Sequence, residues 1–309
     1  ESPVRNAWAH TGALSISIPR KNVTRTSGLR SSSLAAMAPW ALASELAASM
    51  GWDMEEARTL FTTMGASSGV CFCLLPIWRF LIAPAIPAYR HAGEAERMYL
   101  SQSAVSLYPA CTAPFLAIVA LSQLPVTSNE IIMTTAPSVS ALHAVGISCG
   151  YMAYDTMFCL YNAPLRSPLI IAHHVFSFVL WPYATLRHRS LILVLFFIVT
   201  EISNIGQHAR MIMLKLGYGH TLAYAANGIA WVMSFFLVRI LPSPYMVYQI
   251  VYADYAAYTT ADLLITLCTT PLPFMLNSYW FYLLFNGVIK FLSKRSQSTE
   301  RSHSQRKAK

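Results

Sequence analysis

HHVFSFVLWPYATLRHRSLILVLFFIVTEISN, residues 173–204, is the stretch that decides the fold of this chain. A histidine pair opens it, a long apolar passage follows, and Glu201 and Asn204 close it. The segments around it are hydrophobic enough to cross a bilayer, so we expect these polar groups at membrane depth. Burying two imidazoles and a carboxylate in hydrocarbon is costly unless they find partners or line a cavity. The stretch therefore predicts a site inside a membrane protein.

The composition also favours a membrane protein over a soluble enzyme. Charged residues make up 11% of the chain and hydrophobic residues 55%, and the mean hydropathy is +0.45. A soluble domain carries about 25% charged residues. Much of the net charge of +9 lies in two tails, residues 1–30 and 290–309. Basic tails suit a cytosolic leaflet or a targeting role, so we expect no nucleic-acid partner.

Seven segments approach the ~20 apolar residues that a membrane-spanning helix needs. The sequence therefore predicts an all-α, polytopic membrane bundle of about seven transmembrane helices. The fourth and fifth segments meet at a tight polar turn, Arg187 to Arg189, which predicts antiparallel neighbours. The predicted spans are 63–86, 99–124, 138–161, 168–187, 190–213, 221–249 and 262–292.

Polar side chains recur on the third to sixth predicted helices. Glu201, Asn204 and His208 fall at i, i+3 and i+7, which places them on one helix face. Asp155 lies in the third span, and Asn227 lies about as deep in the sixth as the histidine pair does in the fourth. These positions predict a pocket that opens to the cytosol and continues into hydrocarbon.

A purely structural interpretation of these residues stays open. His174 with Glu201, and Asp155 with a neighbouring Tyr or His, could be interhelical hydrogen bonds that hold the bundle together. For His173 and His174 we favour a function, because a structure rarely needs two neutral imidazoles at one depth. The HxxxH and HxxHH boxes of membrane di-iron enzymes do not occur here, so we expect no metal ligands and no cofactor.

Five motifs together resemble the TLC-domain family, membrane proteins of the endoplasmic reticulum that include the ceramide synthases. The resemblance covers about residues 97–295 and is greatest to the non-synthase, type 4-like group. It implies a role in lipid homeostasis and a six-helix barrel formed by the second to seventh helices. The motifs are GYMAYD (150–155), His173-His174, Glu201 to Asn204 followed by Arg210, Asn227 ahead of FFLVRI (235–240), and LNSYWFYLLFNGVIK (276–290).

The chain departs from the ceramide synthases on its fifth predicted helix. That branch is similar up to the histidine pair, but continues with a His-Asp-x-x-Asp element where this chain has Thr200, Glu201 and Asn204. In synthases the pair is implicated in acyl transfer from acyl-CoA to a sphingoid amine, with a carboxylate orienting the histidine. By that resemblance His173, His174 and Glu201 are the candidate catalytic residues. The candidate lipid-binding residues are Asp155, Asn204, His208 and Asn227.

The resemblance and the hydropathy together divide the chain into four regions. Residues 1–62 are expected to be a disordered leader that could include a short helix, although Arg- and Ser-rich residues 1–36 also suit a transit peptide. Residues 63–96 are the first transmembrane helix and its loop, and residues 97–295 are the TLC domain. Residues 296–309 form a basic, cytosolic tail whose end, Arg306 to Lys309, resembles a dibasic retrieval signal.

Three hypotheses follow for the function. The first is a multi-pass protein of the endoplasmic-reticulum membrane that binds acyl-chain lipid and influences membrane lipid composition. The alternative is a ceramide synthase-type N-acyltransferase that uses acyl-CoA and a sphingoid base. A purely structural membrane partner is the third, and the polar residues within the spans argue against it. We expect membrane lipids as partners and favour the first hypothesis.

Overall fold

The computed structural model describes residues 39–124 and 133–307, and every regular element within them is helical. This confirms the prediction of an all-α chain. The first 38 residues, predicted to be leader, lie outside the described part, as do residues 308 and 309 of the predicted retrieval signal. The helices are α1 Pro39–Met50, α2 Met54–Pro76, α3 Pro87–His91, α4 Glu94–Ser122, α5 Val139–Tyr161, α6 Pro168–Leu186, α7 Leu191–Thr200, α8 Asn204–Lys215, α9 Leu222–Phe235, α10 Ser243–Tyr252, α11 Thr260–Thr269 and α12 Pro271–Lys307.

The first long helix begins nine residues before the predicted start of the first span. Asp53 caps α2 by accepting hydrogen bonds from the backbone N–H groups of Glu55 and Glu56, each at 2.9 Å. Those acidic residues lower the local hydropathy, which is why hydropathy placed the start too late. Residues 39–62 are thus mainly helical. Beyond Pro76 the helix continues as a π-helical segment, Ile77–Ile82.

Five helices of the described part are long and apolar enough to cross a membrane, which confirms a polytopic bundle. They coincide with five of the seven predicted spans. The third prediction corresponds to α5, a helix of 23 residues that is not among the five. The seventh is divided at Pro271, which cannot donate to the preceding turn and begins α12. The five are Met54–Ala85, Glu94–Ser122, Pro168–Leu186, Leu191–Lys215 and Leu222–Tyr252.

Two helices build the middle of the bundle. Helix α5 contacts α2, α4 and α6, and two of its glycines allow α2 to approach closely. A Cβ atom on Gly150 would lie 2.3 Å from the carbonyl oxygen of Met64. Every residue of α7 except Val199 is buried, so this short apolar helix runs through the core. The residues that follow α7 therefore begin in the interior of the bundle. The six-helix barrel itself stays a prediction.

Polar contacts lock the turn between α6 and α7 to the start of α11. Asp262 accepts hydrogen bonds from Tyr183 at 2.9 Å and from Arg187 at 3.2 Å, and its carboxylate is fully buried. It also forms a capping box with Thr259 at the start of α11. Arg189 lies 3.8 Å from the same carboxylate. The Asp262 carboxylate thus offsets the charges of Arg187 and Arg189. An unpaired charge in this partly buried turn would be costly.

Candidate functional site

The two adjacent histidines of α6 face different neighbours, because consecutive helical residues point about 100° apart. His174 lies against α5, and its Nδ1 is 3.1 Å from Oδ2 of Asp155. Both residues are buried, with 8% and 4% of their surfaces exposed. The ring is not aligned for a hydrogen bond, and Nδ1 of His174 and Oδ1 of Asp155 have no hydrogen-bond partner among the described residues. His174 therefore pairs with Asp155, and not with Glu201.

Further polar groups surround the His174–Asp155 pair. The ring of Tyr151 packs edge-on against His174 at 6.1 Å between centroids, and its hydroxyl lies 2.8 Å from Oγ of Ser106. The thiol of Cys159 contacts Oδ2 of Asp155 at 3.8 Å. This group joins α4, α5 and α6.

Arg239, which was not predicted as a site residue, organises a second polar group. It is 4% exposed and lies in a π-helical segment, Phe236–Ile240, that extends α9. Its Nε donates to Oγ of Ser203 at 2.9 Å, and its Nη1 donates to Oδ1 of Asn277 at 2.9 Å. Its Nη2 donates to Oδ1 of Asn204 at 3.1 Å. A lone arginine within the apolar FFLVRI motif was the signal that could have identified it.

Glu201 is the acidic member of this second group. It lies in a 3₁₀ turn, Glu201–Ser203, between α7 and α8. One carboxylate oxygen accepts from Nδ2 of Asn204 at 2.5 Å, and the other lies 3.5 Å from Nη2 of Arg239. Glu201 and Asn204 are thus held together, as their spacing suggested, whereas His208 of the same predicted stripe makes no hydrogen bond to either of them among the described residues.

A narrow cleft opens beside the second group. His173 lies on its wall, and the His173 ring packs edge-on against Trp280 of α12 at 6.2 Å between centroids. The cleft is narrow, with a cavity volume of about 10 Å³. An acyl chain can enter only if the lining helices move apart. The lining residues are His173, Trp181, Phe197, Thr200, Glu201, Arg239, Pro273, Leu276, Asn277 and Trp280.

The remaining predicted residue, Asn227, does not line the cleft. Its Nδ2 donates to the carbonyl oxygen of Gly206 at 2.9 Å, which fastens α9 to α8. The predicted residues are therefore divided between the His174–Asp155 pair, the cleft with His173 and Glu201, and this helix contact. Within residues 39–124 and 133–307, no three His, Cys, Asp or Glu side chains are grouped so that they could hold a metal ion.

Comparison with known proteins identifies the family. Residues 100–286 match the family model of the TLC domain, named TRAM_LAG1_CLN8, which is more than half of the chain. The chain belongs to the TLC-domain family. This confirms the resemblance drawn from the motifs, and the matched segment contains Asp155, both histidines, Glu201, Arg239 and Asn277. Both polar groups and the cleft are therefore parts of the TLC domain.

Two curated TLC-domain proteins are similar to the chain. It is 27% identical over 176 residues to TLC domain-containing protein 4 A of Dictyostelium discoideum, covering 56% of this chain and 67% of that protein. It is 28% identical over 159 residues to TLC domain-containing protein 4-B of Danio rerio, covering 48% of this chain and 59% of that protein. Both relatives carry the type 4 designation that the sequence motifs suggested.

Proposed function

We propose that this TLC-domain protein binds an acyl-chain lipid in the cleft beside Arg239 and thereby influences membrane lipid composition. The observation that carries the proposal is the amphipathic lining of the cleft. His173, Glu201 and Asn277 offer polar groups to a headgroup, and Trp181 and Leu276 offer apolar surface to a chain. Small-molecule sites combine a mostly apolar lining with a few placed polar groups in the same way.

The charges of the cleft suit a lipid rather than a strongly charged solute. Arg239 and Glu201 approach each other at 3.5 Å and offset each other's charge. Arg239 is held by three further acceptors, whereas the Glu201 side chain is 20% exposed. Glu201 and the imidazole of His173 are thus the polar groups that a headgroup would meet.

The adjacent histidines provide a matched pair of variants for the test. His173→Ala removes a cleft wall, while His174→Ala alters a neighbour that does not line the cleft. Purified protein in detergent would be titrated with a fluorescent acyl-chain phospholipid. We expect His173→Ala to weaken binding by about tenfold and His174→Ala to leave it within twofold, provided that both variants melt cooperatively. Equal losses in both variants, or none in either, would contradict a site in this cleft.

A ceramide synthase-type N-acyltransferase is the second candidate. The observation in its favour is the buried His174–Asp155 pair, because a carboxylate beside an imidazole can orient a general base. Against it, Glu201 is engaged by Asn204 and Arg239, and Thr200 donates its hydroxyl to a backbone carbonyl. Thr200 and Asn204, which stand at the positions of the histidine and the second aspartate, cannot ionise and so cannot replace them.

A direct assay separates the two candidates. We expect the purified chain to form no ceramide from acyl-CoA and sphinganine, with a ceramide synthase as the positive control. Ceramide formation that is lost in Asp155→Asn would promote the acyltransferase. In cells, comparing the lipids of knockout and wild-type lines tests the wider role in lipid homeostasis, and an unchanged phospholipid profile would argue against it.

We further propose that the protein resides in the endoplasmic-reticulum membrane with the basic end of the bundle in the cytosol. Positively charged loops favour the cytosolic side. At this end Arg79 pairs with Glu94 and Lys215 pairs with Glu96, and Arg90 is exposed. The predicted retrieval signal begins with Arg306 and Lys307, the last two residues of α12. Deleting residues 306–309 should move a tagged protein towards the Golgi, whereas unchanged reticular staining would leave this signal without a role.

A further inference from the structure

Arg210 of α8 differs from the other partly buried arginines in lacking a hydrogen-bond acceptor. Its guanidinium makes no hydrogen bond or ion pair to any residue in the described part of the chain. Each of the other partly buried or buried arginines described donates to a carboxylate, an amide or a carbonyl oxygen. These are Arg79, Arg97, Arg187, Arg189 and Arg239.

The neighbouring helix α9 holds the Arg210 guanidinium in place. Its central carbon lies 4.2 Å from the ring centroid of Tyr224, which is itself buried. Stacking on a ring leaves the N–H groups at the edge of the guanidinium free to donate. A Cβ atom at Gly228 would lie 2.9 Å from Nη1 of Arg210, so the glycine provides the room that the guanidinium occupies. Two residues of α9 thus form a seat for this cation.

The position of Arg210 along α8 places it at headgroup depth. It lies five residues before the end of the candidate span Leu191–Lys215, or about 7.5 Å at 1.5 Å per residue. A guanidinium without an acceptor is costly at that depth. Lys215, at the end of the same helix, already pairs with Glu96. Arg210 is therefore available to an anion from outside the described part of the chain.

We propose that Arg210, seated on Tyr224 and Gly228, binds the phosphodiester of a membrane phospholipid. A phosphate matches the fork of N–H donors on a guanidinium and is the anion that occurs at this depth of a bilayer. The exposed side chain of Gln207, three residues earlier on the same face of α8, can add a further donor. This site is separate from the cleft, whose lining does not include Arg210. It therefore does not depend on the function proposed for the cleft.

The test compares two lipids that differ in the phosphate-containing headgroup. The full chain, purified in a maltoside detergent, would be titrated with dioleoylphosphatidylglycerol and with dioleoylglycerol. We expect the phospholipid to bind about tenfold more tightly, and Arg210→Gln to remove that preference. Arg90→Gln is the matched control, because Arg90 is exposed at the same end of the bundle, and it should keep the preference.

A second variant covers the case in which Arg210→Gln does not fold. Gly228→Ala keeps the charge, but its Cβ would lie 2.9 Å from Nη1, so the guanidinium must shift from its position over Tyr224 and the preference should also fall. An unchanged preference in a folded variant of either kind overturns the proposal. A loss in Arg90→Gln as large as in Arg210→Gln, or equal binding of inorganic phosphate, overturns it in favour of unspecific or soluble anions. Loss of binding to both lipids in His173→Ala concerns the cleft alone.

Discussion

Arg239→Ala is the variant that tests the organisation of the candidate site most directly. Removing this side chain leaves Ser203, Asn204 and Asn277 without their shared donor, and Glu201 without its counter-charge. Breaking a buried ion pair costs about 3–5 kcal/mol. Because the Glu201 side chain is 20% exposed, whereas that of Arg239 is 5% exposed, we expect the lower end of that range, about 3 kcal/mol.

The assay is reversible denaturation of the purified protein in mixed micelles, followed by circular dichroism. Arg239→Lys should lose less than Arg239→Ala, because the ammonium keeps the charge but cannot reach acceptors on several sides. Arg90→Ala is the control, and as an exposed position it should lie within about 0.5 kcal/mol of the wild type.

A double-mutant cycle with Glu201→Gln identifies the pairwise contribution. If Arg239 offsets the charge of Glu201, the double variant should lose less unfolding free energy than the two single variants lose together. The difference should be about 1 kcal/mol or more. Additive losses would show that the two side chains do not interact. A loss below about 1 kcal/mol in Arg239→Ala would refute its role as the organiser of the cleft.

Three further substitutions test the packing around the site. Gly150→Ala should destabilise the fold by about 1–3 kcal/mol in the same assay, because its Cβ would meet backbone atoms of α2; Gly65→Ala, whose Cβ meets nothing within 4 Å, should not. His174→Leu should lower the free energy of unfolding by about 1–3 kcal/mol, because it leaves Asp155 without its partner. Adding Asp155→Leu should restore part of this stability. A larger loss in the double variant would contradict the pairing. Asp262→Ala should lower the free energy of unfolding by about 3 kcal/mol and expose the α6–α7 turn to proteolysis. If the turn stays as resistant to protease as in the wild type, the Asp262 contacts do not hold it in place.

The hydropathy of the sequence was sufficient to predict the all-α class and most of the spans. Apolar runs of this length have few alternatives, because a backbone in hydrocarbon must satisfy its own hydrogen bonds. The order of GYMAYD, the histidine pair and Glu201 to Asn204 was also sufficient for the family. Some helix boundaries differ from those predicted by hydropathy, at Asp53, Pro76 and Pro271. Caps and breaks depend on single residues, which an averaged hydropathy hides.

The pairing of the polar groups was decided by tertiary structure alone. Sequence spacing placed His173 and His174 together, but the rotation of α6 against its neighbours sends one to the cleft and the other to Asp155. Arg239 reaches Glu201 from 38 positions away, and the π-helical segment that carries it is not evident from periodicity. Periodicity within one helix reports which residues share a face. Only the packing of helices shows which faces meet, because that depends on side chains distant in sequence.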